Sequence, residues 1–571
     1  MENTSVKQCD GLLAGQIVEQ QAAESKAIEE TDRRLDVLIR IADFLWIQNE
    51  PSARGHFAEA YQIAQDRFRE REVERTKEKK VTFSKPDFRF KVINAIIKHD
   101  SEWAKRLSNN ILKEFDEKQK TDSTGPNDAL SESEVEQILN VAAANAKDNP
   151  ELALSLARRV MRYPLTASWY FNLYIMAGGN QQLADTVYSE LLNVHADAQV
   201  YRLLFLSAYP FGRDRIFGIE KYSLGMDVPA KFSPNFQLKI QFLNTLIRRV
   251  LTLTPENTSE SLHTHTPETA IALFAMTEIE PLVTQQFPDL VPAVWRAKIH
   301  ANSIIPNNVL DEANTRNDFG QNLSKSFDAK LKDIEDADEH GKLTDRDIIN
   351  LITSAKAEKE FAAAGKWLDR IREGSTREGA ENYFYFQRSK LAAQENRFTE
   401  ARRYADRVNT LQHRAVLLLA IAEARLTDPS SQQEIVELLL EVDKAANKSP
   451  NSLEKAQVYL ALASQYAKFD QFSAYNSLSN AIRTANKLNN PNLFATSQIQ
   501  EIVGKKFSYF ITYEVPGFDM NKVFHQISQK DFQGALMQAR SFSDKYFIAL
   551  ATLAVVKNCR EKESKRAKKR K

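Results

Sequence analysis

The side chains in this sequence that could take part in chemistry are few and scattered. Nine histidines stand at positions 56, 99, 195, 263, 265, 300, 340, 413 and 525, and only His263 and His265 are close neighbours. With Glu260 and Glu268 nearby, that pair offers donor types a divalent cation accepts, but residues two apart in a loop need share no ligand. A polar surface loop is the favoured reading. The carboxylates Glu278 with Glu280, and Asp336 with Asp338, have the chemistry of general acids and bases. On a helix, side chains at i and i+2 point about 200° apart, so neither pair can flank one substrate, and both read as solvated helix faces. Glycine-rich phosphate loops, the dinucleotide fingerprint, the nucleophile elbow and paired zinc-binding histidines are absent from the sequence. The expectation is a protein that is not an enzyme, with no catalytic residue, no metal ligand and no cofactor.

Recognition chemistry is better represented than reaction chemistry. Between Tyr201 and Phe236 helical periodicity fails, and aromatic residues interleave with arginine and lysine. Aromatics and arginines dominate recognition hot spots, so Tyr209, Phe211, Arg213, Arg215, Tyr222 and Phe232 are candidate binding residues on an irregular insertion at 210–234. Such a loop could grip a peptide or carbohydrate. The blander reading, placed ahead of it, is that these rings anchor the loop and plug the core. A second feature is the basic tail: from Arg560 onward, eight basic residues, among them Lys565, Arg566, Lys568, Lys569, Arg570 and Lys571, face two acidic ones. A solubilising arm is its commoner meaning, and contact with phosphates or an acidic surface the second. The whole chain has 77 Lys and Arg against 76 Asp and Glu, a net charge of +1, so its near-neutrality cancels a mildly acidic body against this arm. Nucleic acid is an unlikely partner except through the tail.

Cys9 and Cys559 sit at opposite ends and read as two incidental thiols, which excludes a disulfide framework or a multi-cysteine metal site. The longest apolar run, Ala415 to Ala422, is too short to cross a bilayer, and Met1 to Glu30 carries no secretory pattern. The expectation is a soluble, cytoplasmic chain without membrane insertion, or an exported one if this N-terminus belongs to a trimmed precursor.

The elements that must position these residues are helices. Leu35, Leu38, Ile39, Ala42 and Leu45 share one helical face, as do Ile435, Leu438, Leu439 and Val442. Glycine and proline, 17 and 18 in number, are scarce in 571 residues, and no convincing period-two strand is found. A local pattern recurs, in which a bulky or turn residue is followed by Ala three and seven positions later. It occurs as Phe57, Ala60, Ala64; as Pro150, Ala153, Ala157; as Phe398, Ala401, Ala405; and as Phe532, Ala535, Ala539, each after a short polar turn. Small residues on one stripe let a second helix approach closely, so each copy marks a helical hairpin.

On Leu391, Ala392, Asn396, Phe398, Ala401 and Val408, the third copy resembles a degenerate tetratricopeptide repeat. The resemblance implies an all-α fold, an irregular α-solenoid of antiparallel helical hairpins with loop insertions. The expected organisation is N-terminal hairpins over 1–120, a repeat region over 134–305, a polar linker over 306–344, repeats over 345–559, and the tail 560–571. Stacked hairpins offer an extended surface for a protein or peptide, so the expected role is a non-catalytic interaction scaffold or adaptor. Two alternatives stay open: a ligand-binding protein or enzyme with a pocket at 209–236, and a nucleic-acid-associated protein acting through the tail.

Overall fold

The computed structural model describes residues 10–77, 87–121, 132–213, 228–254, 268–305, 326–504 and 507–570, with backbone alone at 71–77, 112, 115–121, 133 and 560–570. In chain order the helices are α1 Gly11–Ser25, α2 Thr31–Leu45, α3 Glu50–Lys77, α4 Phe88–Ile97, α5 Ser101–Thr121, α6 Glu132–Asn145, α7 Pro150–Val160 and α8 Ala167–Val194. Next come α9 Val200–Leu204, α10 Phe236–Leu251, α11 Glu268–Gln286, α12 Val291–Ile304, α13 Phe327–Glu339, α14 Asp345–Ile352 and α15 Glu358–Ala364. The series continues with α16 Gly374–Gln394, α17 Phe398–Ala405, α18 Leu411–Ala424, α19 Gln432–Lys448, α20 Leu453–Tyr466 and α21 Gln471–Ala485. Two strands, β1 Ser497–Gly504 and β2 Phe507–Glu514, precede α22 Met520–Ser528, α23 Phe532–Ala539 and α24 Lys545–Arg570. Among the described residues the architecture is all-α apart from that one hairpin of strands.

Contacts divide the chain into two units: Met1–His56 together with Leu323–Lys571, and Phe57–Asn322. In the first unit α16 pairs with α17, α18 with α19, α20 with α21 and α22 with α23, while α16, α18, α20, α22 and α24 follow one another in a single layer. That is an irregular α-solenoid. The hairpin of α1 and α2 belongs to this unit and packs on its last helix, α24. Short polar side chains start these helices: Asp10, Thr344, Ser452, Asp470 and Asp531 each accept a hydrogen bond from a first-turn N–H that the helix itself leaves unpaired. The turn after α16 is closed by Asn396 at φ 61°, a left-handed position that asparagine tolerates.

All eight alanines of the recurring pattern are buried, and each expected turn separates two helices. Within the polar stretch 306–344, residues 306–325 lie outside the described ones. The remainder holds α13, whose buried Ile334 packs with Phe327 and Leu331 against the cluster of Ile348, Ile352 and Phe361. Asp328, Asp333, Glu335, Asp336 and Glu339 are exposed, whereas Asp338 is half-buried and paired with Arg370.

The second unit is built from α4 with α5, α6 with α7, α8, α9, α10, and α11 with α12. A buried charge cluster ties its first helices together. Arg89, with no exposed side-chain surface, donates to the equally buried Asp87 at 2.7 Å and to Glu114 at 2.6 Å, and its guanidinium lies 3.6 Å from the Phe68 ring centroid. Burial pushes the nearby Tyr61 phenol up to about 12, against the opposing pull of Arg89.

The two strands correct the expectation that the chain holds none. β1 and β2 pair antiparallel, with Gln500 opposite Ile511 and Glu501 opposite Phe510. Their alternation is hard to see in the sequence because β1 buries the polar Gln498 and Gln500, whereas β2 exposes Phe510. Both strands therefore break the rule of apolar residues inward and polar residues outward.

Candidate interaction surface

The strand hairpin lies against α16, with His413 of α18 beside its second strand and α20 bonded to the segment just before it. Thr376 of α16 donates from Oγ1 to the Val503 carbonyl at 2.7 Å, and Gln457 of α20 donates to the Ala495 carbonyl at 3.0 Å. At Gly379 the β1 backbone comes so close that an added Cβ would stand 3.4 Å from the Glu501 carbonyl oxygen and the Ile502 Cα. The inner side of the hairpin is aromatic: Tyr509 meets Tyr383 edge-on at 5.6 Å, and Tyr513 lies 5.1 Å from Phe386. Ile502 is fully buried among them.

His413 of α18 secures the same side. Its ring stands 5.7 Å from Phe386 and 5.9 Å from Tyr513, and Nδ1 is 2.8 Å from the Thr410 hydroxyl. Burial holds its pKa below the usual imidazole value, although a hydrogen bond to the Ile499 backbone pulls the other way. A neutral ring that donates to that carbonyl and accepts from Thr410 satisfies both nitrogens.

The outer side is unlike the rest of the surface. Ile499, Val503 and Phe510 are 60%, 54% and 59% exposed, and the register places Phe510 diagonally between the other two. Three large apolar side chains thus surround Glu501, which stands between Ile499 and Val503 on β1 and directly across from Phe510, with Glu514 at the end of the same face. Among the described residues the sheet has two strands, so the outer edge of β2 has no strand neighbour.

The residues singled out at the 210–234 insertion are placed differently. Tyr209 is fully buried, stacks on Tyr188 at 5.2 Å, and donates from its hydroxyl to Asp185 Oδ1 at 2.8 Å. Phe232 packs edge-on against Tyr209 at 5.1 Å and Tyr174 at 5.2 Å. Asn235 bonds the other oxygen of Asp185, and Gln181 bonds Ser233 in both directions, which fastens the end of the insertion to α8. Gly212, at φ 63°, sits where a Cβ would meet Pro234 at 3.0 Å. Phe211 is half-buried with Lys239 Nζ 5.5 Å from its ring, and Arg213 contributes backbone atoms, its carbonyl accepting from the Tyr174 hydroxyl. Arg215 and Tyr222 lie outside the described residues. The structure therefore brings Tyr209 and Phe232 together in one aromatic cluster with Tyr174 and Tyr188, in which Tyr209 is buried and Phe232 half-buried.

Of the remaining candidates, His263 and His265 lie outside the described residues, as does Lys571. The backbone of α24 runs helically to Arg570 through Lys565, Arg566, Lys568 and Lys569. Glu280 is engaged by Lys298 and by the Trp295 indole, and Asp338 by Arg370. Among the described residues there is no cluster of potential metal ligands and no helix long and apolar enough to cross a membrane. A cleft of about 260 Å³ lies between α13 and the segment after α15, lined by Leu331, Glu335, Lys366 and Trp367 beside the Asp338–Arg370 pair. That volume is below the usual range of small-molecule sites, roughly 300–1,000 Å³. The reading of two incidental thiols is corrected: Cys559 is buried and disulfide-bonded.

No family model matches this chain. No curated protein matches it either. Among solved structures, a match to a circular tandem repeat protein with novel repeat topology and enhanced subunit contact surfaces covers 98% of both chains at 12% identity. Its TM-score of 0.11 means that the likeness carries no argument.

Sequence reasoning missed the strand hairpin. Its signal was present in Phe507 to Glu514, an eight-residue run of aromatic and β-branched residues alternating with polar ones, two residues after a comparable stretch. The aromatic at 510 obscured the period.

Proposed function

We propose that this protein is a non-catalytic scaffold or adaptor of tetratricopeptide-like helical hairpins, and that the outer side of its strand hairpin is the surface it presents to a protein partner. The observation that carries this reading is the patch of Ile499, Val503 and Phe510. Isolated exposed apolar residues are ordinary, but Phe510 diagonal to both Ile499 and Val503 around Glu501, beside an edge with no strand neighbour among the described residues, leaves apolar area, a carboxylate and backbone groups for a partner to cover. The hairpin occupies the helical face beneath it, so recognition moves from the helices to the strands. Full burial of Tyr209, with the half-buried Phe232 packed edge-on against it, favours this reading over a ligand pocket at the 209–236 loop.

The test is comparative affinity enrichment from the native source, using the full chain, a Phe510→Asp, Ile499→Asp double variant, and a control Phe472→Ser. Phe472 is 77% exposed on α21, away from the hairpin. The expected result is at least one protein recovered by the wild type and the control and lost from the double variant. Identical recoveries from all three, or recovery of a tightly bound small molecule alone, would overturn the reading.

A further inference from the structure

The strand hairpin has two edges, and helix side chains close one of them. Gly504 and Phe507 pair with only two residues between them, so they exchange backbone bonds, as do Ile502 with Tyr509 and Gln500 with Ile511 at every second step. The bond from the Val515 N–H to the Thr496 carbonyl keeps that phase. The intervening residues turn their N–H and C=O groups away from the other strand. On β1 those groups meet the helices: the Val503 carbonyl accepts from Thr376 of α16, the Ile499 backbone bonds His413 of α18, and the Glu501 carbonyl lies against Gly379. On β2 they belong to Ser508, Phe510, Thr512 and Glu514, which are all exposed. Among the described residues no strand lies beyond them. Phe507–Glu514 contains no lysine and no proline and pairs without a bulge, so it lacks the devices that usually keep an edge from pairing.

The same alternation sets the chemistry of whatever fills that edge. Each β2 residue that bonds outward also faces the outer side, so a third strand sets on that side the residues with which it bonds β2. There they meet Phe510, Ile499 and Val503, and two carboxylates, Glu501 and Glu514, while neither strand contains a basic residue. A second copy of β2 would double the carboxylates on this face and bring no base from its strands. A basic residue opposite Glu514 would stand about 5 Å from it, Cβ to Cβ. Glu501 lies about 10 Å from a third strand, beyond Phe510, a span that an arginine crosses by lying over the ring. On the reading that this side meets a protein partner, we propose that β2 takes as its third strand an extended, basic segment of that partner. In this segment apolar residues alternate with small polar ones, and an arginine or lysine stands four residues from the apolar residue opposite Phe510. Backbone bonds to Ser508, Phe510, Thr512 and Glu514 hold the segment, and its apolar and basic side chains select it.

The probe is the nonapeptide Arg-Thr-Ile-Thr-Ile-Thr-Ile-Thr-Arg, which offers arginine four residues from its centre in either strand direction. Titrated with the full chain and followed by fluorescence anisotropy, it is expected to bind saturably. Thr512→Pro removes one outward N–H and spares the bonds to β1, and is expected to weaken binding at least tenfold. Methylating the three isoleucine amides of the probe is expected to do the same, and methylating three threonine amides to leave affinity within a few-fold. That comparison needs no variant to fold. A counterpart with glutamate in place of both arginines is expected to bind the wild type at least tenfold more weakly, and Glu514→Lys to reverse the preference. The proposal is overturned by no binding, by equal affinity for the two peptides, by indifference to isoleucine methylation, or by a dimer seen in sedimentation that Thr512→Pro dissolves. If the peptide fails while the Phe510→Asp, Ile499→Asp variant still loses its protein in the enrichment, strand addition falls and the outer surface stands. Failure of both removes the surface as well.

Discussion

Replacing Ile502 or its neighbour Val503 by alanine tests the placement of the strand hairpin, because adjacent strand residues face opposite sides. Ile502 is fully buried against Tyr383, Phe384 and Tyr509, whereas Val503 is 54% exposed. Truncating a buried isoleucine to alanine costs about 2–5 kcal/mol through lost transfer energy and the cavity left behind. The same truncation at an exposed strand position costs less than about 1 kcal/mol. The lower bound for Ile502→Ala, about 2 kcal/mol, corresponds to a roughly thirtyfold rise in the open population of the hairpin. Hydrogen exchange of peptides covering 497–514 in the full chain reads that opening locally, without needing the whole chain to unfold cooperatively. Ile502→Ala is expected to speed exchange across both strands and Val503→Ala to leave it within a few-fold. Equal effects, or a larger effect at Val503, would refute the register, since a one-residue slip exchanges the two faces. No effect from either would refute docking of the hairpin on α16.

Two further outcomes follow from buried charge. Arg89→Ala strands the buried Asp87 carboxylate without its guanidinium and is expected to cost about 3–5 kcal/mol, seen as a lowered urea midpoint, whereas Arg158→Ala, which breaks an exposed pair with Glu190, is expected to leave the midpoint nearly unchanged. Burial depresses the pKa values of His413 and His195, so below about pH 6.5 the unfolded chain takes protons that the native sites refuse. Stability is therefore expected to be full above that pH and to fall as the pH drops through the lowered native values. His413→Gln is expected to flatten this dependence in urea melts between about pH 7.5 and 5.5, and an unchanged slope would remove His413 from the account.

Helical periodicity made the helices and their turns legible, because burial on one stripe repeats every three to four residues and the alanines of the recurring pattern mark where helices cross. The strand hairpin was not legible for the opposite reason: Gln498 and Gln500 are buried, with the Gln500 amide donating to the Asn382 carbonyl of α16 at 3.5 Å, while Ile499 and Phe510 face outward. Local pattern carries no information about which face will be covered. The aromatics at 209–232 show the same limit. Tyr209 looks like a recognition residue by type and is a core residue by position, because the Asp185 carboxylate that receives its hydroxyl comes from a helix 24 residues earlier. The association of α1 with α24 was equally out of reach, since nothing in either segment names the other.

That the first unit is assembled from both ends of the chain has a consequence for how it is made. Helices α1 and α2 leave the ribosome roughly 500 residues ahead of the helix they pack on, α24. At about 5–20 residues per second, that is a wait of roughly 25–100 seconds. During it, Phe57–Asn322 can fold, while Val37, Ile41 and Leu45, which share a buried cluster with α24, have only their own hairpin to cover them. A nascent chain stalled before Lys545 should therefore hold a completed inserted unit and an uncommitted N-terminus, a state that invites chaperones or a neighbouring nascent chain to supply the missing helix.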